Sequence, residues 1–468
     1  MSCILAIDLG TSSIKLLRLD PDGAMTIDRV PCDRLDVEEW LDIIAGNISE
    51  HGDGERISTV SITGQMHGLM TLENGETWGE GIPWHDQRTA EMLPAIRRRI
   101  GDGAALATGG PIVAGFQAAT LAWIRANDPS RWSRLLEVFL PKDALIYTLT
   151  GRHVTDPSDA VGTGLFAPER GTWAWEIVGA LRIPRPWLPD IIPSGSVAGR
   201  ITGDAASRTG LSAGTPVVIA GGDAAVGAYG AGVNREGNAL VMLSSGAQVI
   251  LPINSWNHDP EGRWYTWPSV APATGESTRF LRVGTLLNAG IAMSWAGKAI
   301  SDAPIADRPT DLIALPHLIG TREDPAKQGT ILGITPDTTP GELRRALLEG
   351  VAYSIRQKLD EMTSAGAPPA HIRIGGGLAR EAAWRQVFAD ILRRPVEHIR
   401  LHDLSAYGAA ILARTAMGES GPESPVADIQ QPDPATSALY EPRYARYLQI
   451  DTALAPLFRV MDSSSRAR

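Results

Sequence analysis

Apolar residues open the chain at 4–7 (ILAI), give way to Asp8, Gly10, Thr11, Ser12 and Ser13, and resume at 14–19 (IKLLRL). That pattern predicts a buried strand, a small hydroxyl-rich turn and a second strand closed by Pro-Asp-Gly at 21–23. Further strands are predicted at 57–63 (ISTVSIT) and 69–72 (LMTL), with GQMHG as a turn between them and Asn74-Gly75 as a hairpin signal. Helical patterns come next, at 89–100 and 117–127. Residues 135–151 read as a short apolar segment and a helix stopped by Gly151. The stretch 215–232 (TPVVIAGGDAAVGAYGAG) reads as a strand, a glycine break and a helix of small residues.

Residues 238–253 (NALVMLSSGAQVILPI) repeat the opening arrangement of strand, Ser-Ser-Gly turn and strand. The chain therefore divides into two architecturally related halves, 1–235 and 236–468. A helix is predicted at 340–362. Thr339-Pro340-Gly341-Glu342 supplies a capping box, and Leu343, Leu347, Val351, Ile355 and Leu359 mark one buried face. Strands at 371–374 and 396–399 alternate with helices at 380–394 and 405–418, with Gly375, Gly376 and Gly377 as the turn after the first strand. Such a series implies an α/β fold with a parallel sheet and right-handed crossovers. Residues 440–458 are expected to dock as a final helix and 463–468 to fray.

Composition narrows the function classes. At 468 residues the chain exceeds one ordinary core, so two or three domains are expected. It carries 43 Lys and Arg against 53 Asp and Glu, a formal charge of −10, which leaves no electrostatic footprint for nucleic acid. The RRR at 97–99 reads as a solvated helix face. Two cysteines, Cys3 and Cys32, point to a reducing compartment rather than a disulfide framework. No apolar stretch approaches a membrane span, and a soluble cytoplasmic protein is expected.

An acid, a glycine, three hydroxyls and Lys15 at one hairpin suit a phosphate chain and its metal. Turn amides and hydroxyls cradle phosphate oxygens, and Asp8 is a hard oxygen ligand for Mg²⁺. A plain hairpin with Ser/Thr turn chemistry explains the same residues equally well. Two nucleotide schemes fail: no Gly-x-x-x-x-Gly-Lys-Ser/Thr occurs, and Arg380 stands where a dinucleotide fingerprint needs its third glycine.

The order of AIDLGTSSIK, GQMHG, PWHDQRT, LPKDAL, GGDAAVGAYGAG and IGGGLAREAAWRQVFADIL resembles the FGGY carbohydrate kinases over nearly the whole chain. The resemblance implies a two-domain actin-like fold of ribonuclease H type, with ATP and sugar meeting in the interdomain cleft. It places Thr11, Ser12, Ser13 and Lys15 at the first phosphate hairpin, and Asp8 toward metal and phosphates. Ser244, Ser245 and Gly246 fall at the second phosphate turn, and Gly375, Gly376 and Gly377 at the adenosine side. Met66 and His67 fall at the sugar, where glycerol-phosphorylating members carry Arg-Glu. Trp84, Asp86 and Arg88 form the family's W-x-D-x-R segment on the substrate side; read alone they suit an ion pair under an aromatic ring. His67 read alone is a solvated loop histidine.

Asp223 falls at the catalytic base and also contacts the sugar; by itself it reads as a helix N-cap whose helix keeps the carboxylate ionised. The resemblance implies an ATP- and Mg²⁺-dependent kinase acting on the terminal hydroxyl of a ketopentose, D-xylulose first, with a homodimer as a common arrangement. Three departures bear on the sugar and phosphate contacts. SSGA replaces Gly-Thr-Ser-Gly, Ala224 replaces an Asn, and GTREDPAKQG (320–329) replaces Gly-Glu-Arg-x-Pro. Another ketose, a deoxy-ketose or a polyol is the nearest alternative substrate. A catalytically silent sugar sensor is the alternative from another class.

Overall fold

The computed structural model describes residues 3–465 apart from 75–76, 102, 104–106, 260, 273–277, 303, 364–367 and 420–425. Two large sheets, one from each half, organise the chain. The first contains β1 (Cys3–Leu9), β2 (Ser13–Leu19), β3 (Met25–Pro31), β4 (Ile57–Gly64), β5 (Ser196–Arg200) and β6 (Pro216–Gly222), in the order β5-β6-β4-β1-β2-β3. Strands β1, β4 and β6 run parallel, while β2 pairs antiparallel with β1.

Both faces of this sheet are covered, which explains the unbroken apolar run at the start of the chain. Leu5, Ile7 and Leu9 point into a core shared with Ile44 and Ile48 of α1 (Val37–His51), and with Leu145 of α2 (Pro141–Thr150). Ile4 and Ala6, alternating with them, join a second core.

That second core is closed by helices from both halves. The small-residue helix α3 (Asp223–Gly230) comes directly after β6. In the second half, α4 (Gly290–Ala299), α5 (Pro340–Thr363), α6 (Ala382–Leu392), α7 (Leu404–Ala416) and α8 (Pro434–Ser465) succeed one another. Helix α7 crosses to the first half, where Leu404, Tyr407 and Ile411 share a core with Ile4, Ala6 and Val218. It lies against α3 so closely that a Cβ on Gly230 would stand 2.3 Å from the Leu404 carbonyl oxygen. Small residues in both helices make that crossing possible.

The second sheet contains β7 (Asn238–Leu243), β8 (Ala247–Ile253), β9 (Tyr265–Pro268), β10 (Phe280–Leu286), β11 (His371–Gly376), β12 (Val396–Ile399) and β13 (Val426–Gln430). Their order is β9-β10-β8-β7-β11-β12-β13. The parallel β7, β11 and β12 confirm the sheet expected from the alternating series. The capping box of α5 forms as read: Glu342 accepts from the Thr339 amide at 2.8 Å, and Thr339 Oγ1 accepts from the Glu342 amide at 3.3 Å.

Several local expectations shift. The region 89–100 is a 3-10 turn (Arg88–Met92) running into a helix (Leu93–Ile100). Strand β11 extends through Gly376, paired with Leu243, so only Gly377 begins the turn. The final helix starts earlier than read and runs through Pro442 and Pro456. Asn74 turns with φ of 48°, as a hairpin requires, while Gly75 and residues 466–468 lie outside the described residues.

Candidate active site

Strand register builds the site. Leu9 lies beside Gly64 and Gly64 beside Gly222, so the carboxyl ends of β1, β4 and β6 finish side by side. The segments leaving these three strand ends are thereby gathered: the hairpin after Asp8, the Gln65-Met66-His67 loop, and Asp223 at the first position of α3.

Asp8 and Lys15 face each other across β1 and β2, and Lys15 Nζ lies 2.7 Å from Asp8 Oδ2. Ser405 of α7 donates to the same oxygen at 2.6 Å, which the sequence reading missed. Asp403, just before α7, binds Arg29 at 2.7 Å and comes within 4.0 Å of Lys15. Burial pulls the Lys15 pKa down, but Asp8, Asp403 and Asp223 together outweigh it and hold the ammonium above its ordinary value. Thr11 and Ser12 are exposed at the hairpin tip.

Beside this hairpin lies a cavity of about 420 Å³, lined by Met66, His67, Trp84 and Asp223 from the first half and by Tyr265 and Arg322 from the second. Thr11 links two of its walls, accepting from the Trp84 indole N–H at 3.1 Å and donating to Gln65 Oε1 at 3.3 Å. His67 is no solvated loop histidine. It adopts φ of 74°, stacks on Phe116 with ring centroids 4.4 Å apart, and bonds through Nδ1 to the Gly162 carbonyl at 2.8 Å. A carbonyl only accepts, so Nδ1 carries the proton and Nε2 is left as an acceptor. Burial, with a smaller push from the Arg322 charge, brings the His67 pKa down to about 4 against the pull of the Gly162 bond. The ring is therefore neutral at pH 7.

Asp223 departs from its sequence reading in two ways. Gly222 occupies the N-cap position, and the Asp223 carboxylate accepts from the Ala224 amide at 2.8 Å instead of capping the helix. Nor does the helix terminus keep it strongly acidic. Burial, then the Asp8 charge, push its pKa up to about 7, against the Ala224 amide and Lys15. A carboxylate poised there exchanges a proton readily near neutrality, which suits a general base.

The second half presents backbone instead of charge. The Ser244-Ser245-Gly246 turn closes on itself through the Ser244 amide and Gly246 carbonyl at 2.8 Å. The Gly290 and Ile291 amides at the start of α4 bind the Ser244 and Ser245 carbonyls at 2.9 Å each. Gly375 and Gly376 end β11 next to that turn, with Gly377 just beyond, because Gly376 pairs with Leu243. Gly376 has φ of 94°, and a Cβ there would stand 2.0 Å from the Leu243 oxygen, so only glycine fits.

Not every predicted residue reaches the cavity. Asp86 and Arg88 bind each other at 2.7 Å, and the Arg88 guanidinium lies over the Trp123 ring at 5.3 Å. The ion pair that the segment read alone suggests is present, but its aromatic partner is Trp123, while Trp84 and Gln87 line the cavity. Tyr265, Trp267 and Gln248 escaped the sequence reading, since they reach the cavity only through the contact between halves, while Arg322 comes from the 320–329 segment that departs from the family pattern. Among the described residues, no group of three or more His, Cys, Asp or Glu side chains is arranged to hold a metal ion by itself. Asp8 Oδ1 is nevertheless buried with no hydrogen-bond partner, a spare hard donor that fits Mg²⁺ shared with phosphate oxygens.

Two family models match the chain: the N-terminal domain of the FGGY family of carbohydrate kinases over residues 33–230, and its C-terminal domain over 276–417. Xylulose kinase of Escherichia coli is 28% identical over 97% of this chain and 99% of its own. The crystal structure of xylulose kinase from Rhodospirillum rubrum superposes with a TM-score of 0.89 at 25% identity, covering 98% of this chain and 100% of that one. A gluconate kinase from Lactobacillus acidophilus gives the same TM-score at 22% identity over 98% of this chain and 99% of its own, so the backbone is shared across different sugars. The two-domain actin-like fold implied by the resemblance is the fold of these proteins. No helix among the described residues is long and apolar enough to cross a membrane.

Proposed function

Because the chain belongs to the FGGY family of carbohydrate kinases, we propose that it transfers the γ-phosphoryl group of ATP to the terminal hydroxyl of a ketopentose, D-xylulose first. The two halves, 1–235 and 236–468, divide the work. The first half holds the sugar, the base and the first phosphate hairpin. The second supports the nucleotide through the Ser244–Gly246 turn and the Gly375–Gly377 strand end. The observation that carries this reading is the position of Asp223, on the wall of the cavity that also holds His67 and within electrostatic reach of Asp8 and Lys15.

In that arrangement His67 Nε2 accepts a hydrogen bond from a sugar hydroxyl, and Trp84 and Phe116 enclose the carbon chain. Asp223 takes the proton of the attacking hydroxyl as its oxygen approaches the γ-phosphorus. Lys15 and the hairpin at Thr11, Ser12 and Ser13 offset the charge that spreads over the phosphoryl oxygens. Asp8 would hold Mg²⁺, which supplies further neutralisation of the phosphates when bound.

The name of the sugar rests on less than the reaction. Ala224 offers no amide to the cavity, while Arg322 and Gln248 add polar groups from the second half. A different ketose, a deoxy-ketose or a polyol is the second reading these residues favour. ADP release measured over a panel of ketoses, polyols and sugar acids tests both. Turnover on D-xylulose supports the first reading, and turnover on another sugar alone supports the second. No turnover on any, with sugar binding intact, would instead fit a catalytically silent sensor.

A further inference from the structure

Four fully buried charged side chains have no part in the phosphoryl transfer. Lys142 of α2 places its Nζ 2.9 Å from Asp156 and 3.1 Å from Asp159, and also pairs with the adjacent Asp143. One ammonium cannot neutralise three carboxylates. Burial raises the pKa of Asp143 and raises that of Asp159 well above the usual carboxylate range, against the opposing pull of Lys142.

This cluster reaches the candidate active site through one stretch of chain, residues 156–163. Ser158 Oγ donates to Asp156 Oδ2 at 2.5 Å and accepts from the Gly222 amide at 3.0 Å. Gly222 immediately precedes Asp223. Ser194 donates to the same Asp156 oxygen at 2.6 Å, and Thr63 Oγ1 donates to the Gly221 carbonyl at 2.8 Å, so the end of β6 is held from two sides. A few residues beyond Ser158, the Gly162 carbonyl receives the His67 Nδ1 proton. A Cβ at Gly162 would stand 2.6 Å from that nitrogen, so the imidazole rests directly on the backbone.

Building on the roles proposed for Asp223 and His67, on which the inference rests, we propose that residues 156–163, pinned by Lys142, form a single positioning element for the base and the sugar-site imidazole. Ser158 and Gly162 are its two points of contact. Neither touches substrate. Each fixes a group that does, and both hang from the same buried ion cluster, so base and imidazole keep a fixed mutual distance.

The test uses the full-length protein and the best sugar from the substrate panel. Ser158→Ala removes the acceptor of the Gly222 amide. It should lower kcat about ten- to a hundredfold, the scale expected for a misplaced reacting group, with the KM for ATP within a few fold. Ser158→Thr, which restores the hydroxyl, should recover most of the loss. Gly162→Ala probes the other contact whether or not the threonine is accommodated, and should raise the sugar KM roughly tenfold with a smaller change in kcat. In an Asp223→Asn background, Ser158→Ala should cost little more, because the group it positions is already disabled. A folded Ser158→Ala protein with wild-type kcat and only a lower melting temperature would overturn the proposal, as would an undiminished loss in the Asp223→Asn background. Failure of the underlying reading looks different: Asp223→Asn alone would then turn over at the wild-type rate.

Discussion

The two halves repeat one topology but equip its turns differently. In the first half, the strand ends carry Asp8, Lys15 and Asp223, and the Asp8 charge raises the pKa of both Lys15 and Asp223. In the second, Ser244–Gly246 and Gly375–Gly377 carry no ionisable side chain. A charged turn does chemistry and tolerates little change of charge. A glycine turn lets the backbone approach a ligand and tolerates little change of shape. Substitutions in the two halves should therefore fail in different ways.

The largest effect should come from Asp223→Asn. Loss of a general base costs roughly 10² to 10⁴ in rate, and kcat should fall by that range while ATP binding, read by calorimetry, stays within a few fold. Stability should move the opposite way. The Asp223 pKa is raised in the folded state, from 3.8 to about 7. The folded protein thus binds more protons than the unfolded chain between those values, and this residue's contribution to stability falls as pH rises through that window. Asp223→Asn should accordingly melt a few degrees higher than wild type at pH 8 and near the same temperature at pH 4. The same titration predicts that wild-type kcat/KM climbs with pH up to about 7 and then levels. Near wild-type turnover in a folded Asp223→Asn protein would end the contrast between a chemical and a structural half.

Gly376→Ala should produce the next largest change, and of the other kind. The side chain meets the Leu243 oxygen and demands a positive φ, a strain of about 1–3 kcal/mol. The KM for ATP should rise about tenfold or more and the melting temperature should drop, while sugar affinity holds. His67→Ala should raise the sugar KM roughly tenfold and leave ATP nearly unchanged, since the hydrogen bond proposed for its Nε2 lies on the sugar side. Equal loss of both affinities would signal misfolding instead. Ser245→Ala should matter least, within about fivefold in the KM for ATP, the scale of one neutral hydrogen bond. A Ser245→Ala loss as large as that of Asp223→Asn would show that the second turn is not a backbone site.

Short-range patterns were legible where one stretch of chain sets its own structure. The Asp8 hairpin, the α5 capping box and the halt at Gly151 all arise from local sequence. Groups that meet only through tertiary packing were not legible. Tyr265 and Trp267 come to the cavity from the other half, and Ser405 reaches Asp8 from nearly 400 positions away. Asp223 shows a subtler limit. Its type and place were readable, but its protonation depends on burial and on Asp8, which no neighbouring residue announces. Asp86 and Arg88 went the other way, their spacing allowing them to satisfy each other.

The crossing of α7 into the first half also sets an order of events during synthesis. The apolar face of the first sheet that carries Ile4, Ala6 and Val218 is covered in part by residues 404–416, which leave the ribosome some 180 positions after β6. At roughly 5–20 residues per second that is a delay of about 10 to 40 s. Through that interval the nascent first half carries an incompletely covered greasy surface, a natural target for chaperones and a liability for self-association. A fragment ending near residue 235 would carry the same surface permanently.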